Sequence, residues 1–162
     1  MKKLIFGILL LASVSLNAQT ELKLNPLGLL FGDYSVSAEF GLNENFGIEP
    51  FAGLFTSNND LGNVDYDLTA FRVGALGKYY LGPEKGLDRF HIGAYTRFAN
   101  GNWKADDQSA NLDDETSYTR FSFGIFIGQK WVADSGFLVE LNAGAGRALV
   151  NEVDGEDLSD LA

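Results

Sequence analysis

The chain has 162 residues, a formal net charge of −10 and no cysteine. This length allows one domain, and the lack of cysteine excludes disulfides, thiolate metal sites and a thiol nucleophile. The acidic balance argues against nucleic acid as a partner, because phosphate would be repelled. The 19 glycines and 13% aromatic residues, beside only three prolines, favour crowded β-structure over helices.

The first residues, MKKLIFGILLLASVSLNAQT, have the pattern of a secretory signal peptide. Lys2 and Lys3 supply the charged start, and residues 4–14 form an apolar stretch that is too short for a membrane-spanning helix. We predict cleavage after Ala18, with residues 19–162 as one exported domain; an uncleaved membrane anchor is the alternative. Loss of the two lysines would take the net charge from −10 to −12.

Seven segments of the remaining chain alternate apolar and polar residues with a period of two, which predicts β-strands. In residues 116–131, Phe123, Ile125 and Ile127 share one face, while Gly124 and Lys130 lie on the other. The predicted strands are residues 22–31, 34–42, 46–55, 69–81, 90–99, 116–131 and 137–146.

Two environments explain such strands. In a soluble calycin-like barrel the apolar face would line a cavity for an apolar ligand, whereas in an outer-membrane barrel it would face lipid. Several segments alternate for about 11 residues or more, which suits spanning strands. Long predicted loops, 57–67 and 100–117, fall at one end and shorter connections at the other, as in outer-membrane barrels. Aromatic residues gather near the short-connection end, as in an interfacial girdle: Tyr79, Tyr80, Phe90 and Trp131.

Three stretches, LNPLGLLFGDYSVSAEFGLNENFGIEP, GALGKYYLGP and FLVELNAGAGR, resemble a family of small Gram-negative outer-membrane β-barrel proteins of unknown function. The resemblance implies an antiparallel up-and-down transmembrane barrel and brings no catalytic residues. Such barrels have an even number of strands, eight at least. Since seven are visible, we expect eight in the complete form, with the last one missing here. A strand missed near residues 106–116 is the alternative.

Several charged residues fall on the predicted interior face. A salt-bridge network that fills the barrel is expected, because buried charges must be paired; a small-ligand site is the alternative. Eight strands leave an interior just wide enough for side chains, so no pore is expected. These residues are Lys23, Glu39, Glu49, Arg72, Lys78, Arg97, Arg120, Lys130 and Glu140.

His91 is the only histidine. A histidine base beside a serine nucleophile would suit a lipid A-modifying enzyme. His91 is, however, predicted to face inward at the periplasmic end, whereas lipid A lies in the outer leaflet. We therefore expect no enzymatic activity and no cofactor.

The acidic loops are the most prominent predicted surface feature. Asp106, Asp107, Asp113, Asp114 and Glu115 are placed in one external loop, and the tail NEVDGEDLSDLA is also expected to form a loop. Clustered carboxylates suit Ca²⁺, but the spacing matches no EF-hand, and a solvated acidic surface is the simpler interpretation. The sequence thus predicts a monomeric barrel in outer-membrane lipid with a structural or surface-interaction role. Bridging to lipopolysaccharide through divalent cations is a secondary possibility.

Overall fold

The computed structural model describes residues 20–60, 64–107, 112–154 and 156–157, so the predicted signal peptide lies outside the described residues. The described chain is all-β apart from one helical turn. None of its helices is long and apolar enough to cross a membrane. The elements are β1 (Thr20–Leu24), α1 (Pro26–Leu29), β2 (Asp33–Gly41), β3 (Phe46–Asp60), β4 (Val64–Tyr80), β5 (Arg89–Asp107), β6 (Leu112–Val132), β7 (Leu138–Val153) and β8 (Glu156–Asp157).

Each strand pairs antiparallel with the next along the chain, in one sheet of order β1 to β8. This confirms the predicted seven-stranded up-and-down arrangement. The extra strand β8 contributes two residues, which pair only with Glu152 and Val153 of β7. Within the described ranges β1 is paired only with β2, so the sheet is not closed by hydrogen bonds into a barrel.

The sheet nevertheless coils almost completely around an interior. In a flat sheet β1 and β7 would lie about 29 Å apart, at about 4.8 Å per strand. Instead Lys23 of β1 donates a hydrogen bond directly to Glu140 of β7. The sheet therefore has a concave face on which side chains from opposite edges meet, and a convex face that points away from it.

Alternation along the strands separates these two faces. On β6 the concave residues Phe126 and Lys130 are buried, whereas the convex residues Ile125 and Ile127 are 72% and 53% exposed. Strands β1 to β5 show the same tendency, whereas on β7 the alternation stops after Glu140, since Asn142, Gly144 and Gly146 on the concave face are exposed. Large exposed apolar side chains on the convex face include Leu22, Val36, Ile48, Leu54, Phe71, Tyr79, Phe90, Ile92, Phe98, Phe123, Trp131 and Leu141.

The predicted first strand, residues 22–31, is shorter than expected. The strand stops at Leu24 because Pro26 lacks the backbone N–H that a ladder needs and fits the first position of a helix. Asn25 caps α1 by accepting a hydrogen bond from Gly28 N at 2.9 Å. Gly32 then turns the chain at φ +76°, where its oxygen accepts a hydrogen bond from Thr56 N.

The two long loops predicted at the α1 end are mostly strand. Asn58 pairs with Asp67, and Lys104 pairs with Glu115. Polar composition alone suggested loops, but the cross-strand ladder continues through these residues. We define the far-end extension as the parts of β3 to β6 beyond the row Thr56, Thr69, Asn102 and Ser117, namely residues 57–60, 64–68, 103–107 and 112–116. The acidic tail also differs from the prediction, since Asn151–Val153 belong to β7 and residues 156–157 form β8.

The opposite end, which we call the turn end, carries the connections 42–45, 81–88 and 133–137. The connection 81–88 folds back against the sheet, so that Leu87 and Asp88 are 2% and 6% exposed. Asp88 accepts a hydrogen bond from Glu84 N at 2.7 Å. Lys85 contacts Asp134 in the next connection, and this hydrogen bond with the lysine lowers the pKa of the Asp134 carboxyl. The turn end is thus covered by its own loop.

Candidate functional site

A cluster of buried ionic side chains occupies the concave interior near the turn end. Two of its three lysines, Lys78 and Lys130, are 0% and 1% exposed, and Glu39 is 0% exposed. Six strands contribute the charged members, which we call the ionic cluster: Glu21, Lys23, Glu39, Glu49, Lys78, Lys130 and Glu140. Three ammonium groups therefore face four carboxylates. Strand alternation places these residues on one face, and the coil of the sheet brings them within contact distance.

Glu39 is the centre of the ionic cluster. Its Oε2 contacts Lys23 and lies 3.0 Å from Lys130 Nζ and 3.5 Å from Lys78 Nζ. Its Oε1 accepts a hydrogen bond from Tyr80 Oη at 2.7 Å. Lys130 also lies 4.7 Å above the ring of Tyr80. Both carboxylate oxygens are thus satisfied, as a fully buried charge requires.

The ammonium group of Lys23 lies among three carboxylates. Its Nζ contacts Glu39 and Glu140 and donates to Glu49 Oε2 at 2.8 Å. The three carboxylates place oxygen atoms within 4.8 Å of one another, close enough to hold a metal ion. A metal at that point would compete with an ammonium group that already balances these charges. We therefore interpret the cluster as ion pairs.

His91 borders the ionic cluster and is fully buried. Asn142 Nδ2 donates to Glu140 Oε1 at 2.8 Å, so Asn142 Oδ1 is left facing His91 Nε2 at 2.8 Å. Since that amide oxygen only accepts, Nε2 of His91 carries a proton and donates. The imidazole also packs against Tyr80 and Phe126. Its position faces inward near the turn end, as predicted.

The three predicted interior arginines lie outside the ionic cluster. Arg72 pairs with Asp33, with 2.5 Å between Nη2 and Oδ1, and its guanidinium lies 5.2 Å from the centroid of the Phe55 ring. The alignment of this pair leaves the buried Asp33 Oδ1 without a hydrogen bond. Arg120 is exposed and donates to Asn151 Oδ1 at 2.9 Å. Arg97 is half-buried and lines a cavity.

That cavity has a volume of about 480 Å³ and lies on the concave face, bordered by Arg97 and Asn142. Its other walls are Asp33, Phe51, Leu76, Tyr95, Phe126 and Gly144. We call it the interior cavity. Asn142 belongs to both regions, because it lines the cavity and binds Glu140 of the ionic cluster.

Glycines on the concave face accommodate the aromatic walls of this cavity. A Cβ at Gly93 would come within 2.4 Å of the Phe126 ring, and one at Gly74 within 2.7 Å of Phe51. A Cβ at Gly146 would lie 2.3 Å from the hydroxyl oxygen of Tyr95. The rings therefore lie over glycines of neighbouring strands, an arrangement that also covers the exposed glycine backbone. This explains the glycine-rich polar face that the sequence shows.

The predicted acidic group is brought together by strand pairing. Asp106 lies opposite Asp113, and Asp114 lies opposite Ala105, at the tip of the far-end extension. Asp107 is the last residue of β5. Glu115 is exposed and forms an ion pair with Lys104, with 3.2 Å between Oε2 and Nζ. This set is therefore a pair of strand ends rather than a loop.

Sequence reasoning missed several members of the interior. Glu21 precedes the predicted first strand, residues 22–31, yet its Oε2 lies 2.7 Å from Lys130 Nζ. Tyr80 was assigned to the surface girdle, but it is fully buried on Glu39. Tyr80 is two residues after Lys78 and so lies on the same face of the strand; this spacing could have predicted its interior position. Ser37, which donates to Glu49 Oε1 at 2.6 Å, and Asn142 had no comparable signal, because uncharged polar residues are common on any strand.

The fold and interior define a class: an all-β protein whose coiled antiparallel sheet encloses an ionic cluster and exposes an apolar convex face. The family model described as "Protein of unknown function (DUF3575)" matches residues 4–154. The chain belongs to that family. No curated protein and no solved structure matches it.

Proposed function

We propose that the protein is a non-enzymatic β-barrel of the bacterial outer membrane, exported by its first 18 residues. Its convex face contacts lipid, and its acidic far end has a structural or surface-interaction role outside the cell. The observation that carries this proposal is the exposed apolar convex face, which is bounded by polar residues on the side of the far-end extension.

The boundary crosses four neighbouring strands. Thr56, Thr69, Asn102 and Ser117 pair successively on β3 to β6. Thr69 and the next residues outward on the same face, Asp67 and Lys104, are exposed. On β5 and β6 the polar residues begin one pair nearer the turn end, at Asn100 and Thr119, so the change from apolar to polar falls within two adjacent rows of the four strands. A membrane surface would account for such a change.

The height of the apolar region also suits a membrane. Along β6 the convex apolar residues run from Phe121 to Trp131, ten residues further on, which is about 33 Å of strand at ~3.3 Å per residue. A strand tilt of about 40° reduces this to roughly 25 Å, the height of the apolar band in outer-membrane barrels. Tyr79, Phe90 and Trp131 are exposed near the turn end, where an aromatic girdle would lie.

The interior supports a structural rather than a catalytic or pore-forming role. The ionic cluster fills the concave side near the turn end, and the 81–88 connection covers that end. His91 Nε2 already donates to Asn142. A barrel also has to satisfy the free edges of β1 and β7, since unpaired strands are not tolerated in lipid. We propose that the barrel is closed by a full-length strand that pairs with the edges of both β1 and β7, where the two residues of β8 pair only with Glu152 and Val153.

The soluble calycin-like alternative requires the apolar face to line the cavity. The exposed positions of Ile125 and Ile127 count in favour of the membrane proposal. Contact with lipopolysaccharide through divalent cations at the acidic far end is a secondary element of the proposal. It rests only on the acidic composition of the extension.

Cell fractionation and heat-modifiability test the membrane proposal together. The full chain should sediment with outer membranes and require detergent for extraction. After folding into detergent, it should migrate differently on SDS gels with and without boiling, because a closed barrel resists SDS. A chain that is released in soluble form without detergent and shows no mobility shift would contradict the proposal. A soluble periplasmic protein and an established outer-membrane barrel protein serve as the two controls.

A further inference from the structure

We propose that the interior cavity binds a small organic carboxylate with a flat apolar body, and that Arg97 recognises its carboxylate. The volume of about 480 Å³ lies within the range of small-molecule sites. Such sites combine apolar walls with a few convergent polar groups. The proposal concerns the interior alone and holds whether the convex face meets lipid or water.

The walls supply the apolar part of the site. Phe51, Tyr95 and Phe126 border the cavity. Because glycines on the neighbouring strands leave room for them, these rings lie against the wall of the sheet instead of filling its centre. Offset stacking on such rings favours a flat ligand.

Arg97 supplies the charge. Among the residues that the structure describes, no carboxylate lies within ion-pair distance of its guanidinium, although it is half-buried. The neighbouring arginine differs, because Arg72 pairs with Asp33 and lies over Phe55. An arginine that is half-buried and has no ion-pair partner can bind a carboxylate, with which its guanidinium forms two parallel hydrogen bonds.

The ionic cluster cannot provide that anion. Its carboxylates are engaged by Lys23, Lys78 and Lys130. Asn142 lies between the two regions, and its side-chain amide forms hydrogen bonds with Glu140 and His91. Asp33, the other charged residue of the lining, is paired with Arg72, although its Oδ1 accepts no hydrogen bond. Arg97 is thus the charged residue of the cavity lining that has no ion-pair partner among the described residues.

The test uses naphthalene-2-carboxylate as probe and its neutral amide as control. Binding to the folded full chain is measured by titration calorimetry in matched detergent. The carboxylate should bind at least roughly tenfold more tightly than the amide, because a charge-assisted hydrogen bond is replaced by a neutral one. Equal affinity for the two compounds would overturn the proposal, and this comparison needs no variant.

Two arginine substitutions localise the site. Arg97→Gln should weaken carboxylate binding roughly tenfold or more and leave amide binding unchanged. Arg120→Gln, on the same face of the next strand but exposed, should change neither by more than about twofold. Equal losses in both variants, or none in Arg97→Gln, would overturn the assignment. The far-UV circular dichroism spectrum of each variant, compared with that of wild type, shows that it has folded even where no SDS-gel shift occurs, so failure of the membrane proposal remains distinguishable.

Discussion

The turn end and the far-end extension are built from the same alternating strands, yet their charged side chains lie in opposite environments. At the turn end, four glutamates contact three lysines, two of them fully buried, and each charge has a partner. The extension has eight acidic residues and a single lysine, and its described charged side chains are exposed. The difference follows from the surroundings. Seven strands and a loop enclose the turn end, so charges must be balanced there, whereas four strands continue into the extension and water can solvate an excess.

The largest expected effect is loss of a charge from the ionic cluster. Lys78→Met leaves Glu39, Glu49 and Glu140 with one ammonium group fewer, which should cost about 3–5 kcal/mol of unfolding free energy. Urea unfolding of the chain folded in detergent, followed by tryptophan fluorescence, measures it. Lys104→Met in the extension removes an exposed ion pair and should cost about 1 kcal/mol or less. Similar losses at the two sites would contradict the contrast between the regions.

A second substitution pair sharpens the boundary between the regions on the convex face. Ile125→Arg should destabilise the protein in lipid bilayers by about 2–4 kcal/mol, because it places a charge at membrane depth. Thr69→Arg, on the same face at the polar boundary, should change stability by about 1 kcal/mol at most. Unfolding from liposomes provides the measurement. An Ile125→Arg variant with the same unfolding free energy as wild type would show that this face does not meet hydrocarbon.

Glycine positions give an intermediate effect. Gly93→Ala brings a methyl group to 2.4 Å from the Phe126 ring and from Gly77 O, so it should cost about 1–3 kcal/mol through overpacking. Gly77→Ala on the neighbouring strand faces the convex side, where the nearest atom is 3.6 Å away, and should change stability by about 0.5 kcal/mol or less. The same unfolding assay compares them. An equal response would mean that the concave glycines are not required by the rings.

The smallest effect is a pH dependence at the exposed surface of the turn end. Contact with Lys85 lowers the pKa of Asp134 from its ordinary value of 3.8. The pair therefore stabilises the folded state above pH 3.8, and this contribution is lost as the pH falls through the lower folded pKa. Wild type should have a slightly higher thermal midpoint than Asp134→Asn at pH 7, and the midpoints should converge once the pH lies below the folded pKa of Asp134. A constant difference would exclude the ion pair as its source.

Strand number, order and facing residues follow from the sequence because alternation is a local property. Glu39, Lys78 and Lys130 could be placed on the interior face in this way. Their convergence depends on the coil of the whole sheet, so the exclusion of Arg120 was not predictable from β6 alone. The strand ends were predicted wrongly at residues 57–67 and 100–117. Their polar composition is typical of loops, and local sequence does not reveal the cross-strand hydrogen bonds that extend the strands there.

The ionic cluster also determines the order of assembly. Lys23 and Glu140 are 117 residues apart in the chain, whereas neighbouring strands in the middle of the sheet pair across short connections. A contact between residues that are far apart in sequence requires the loop between them to close first. The entropy lost in closing the loop is offset only when the contact forms, which slows folding. The central hairpins therefore form early, and the first and last strands complete the interior late. Until then the two glutamates and two lysines of the ionic cluster on β2, β3, β4 and β6 lack their partners from β1 and β7. We therefore expect the meeting of the two ends to limit the rate of folding.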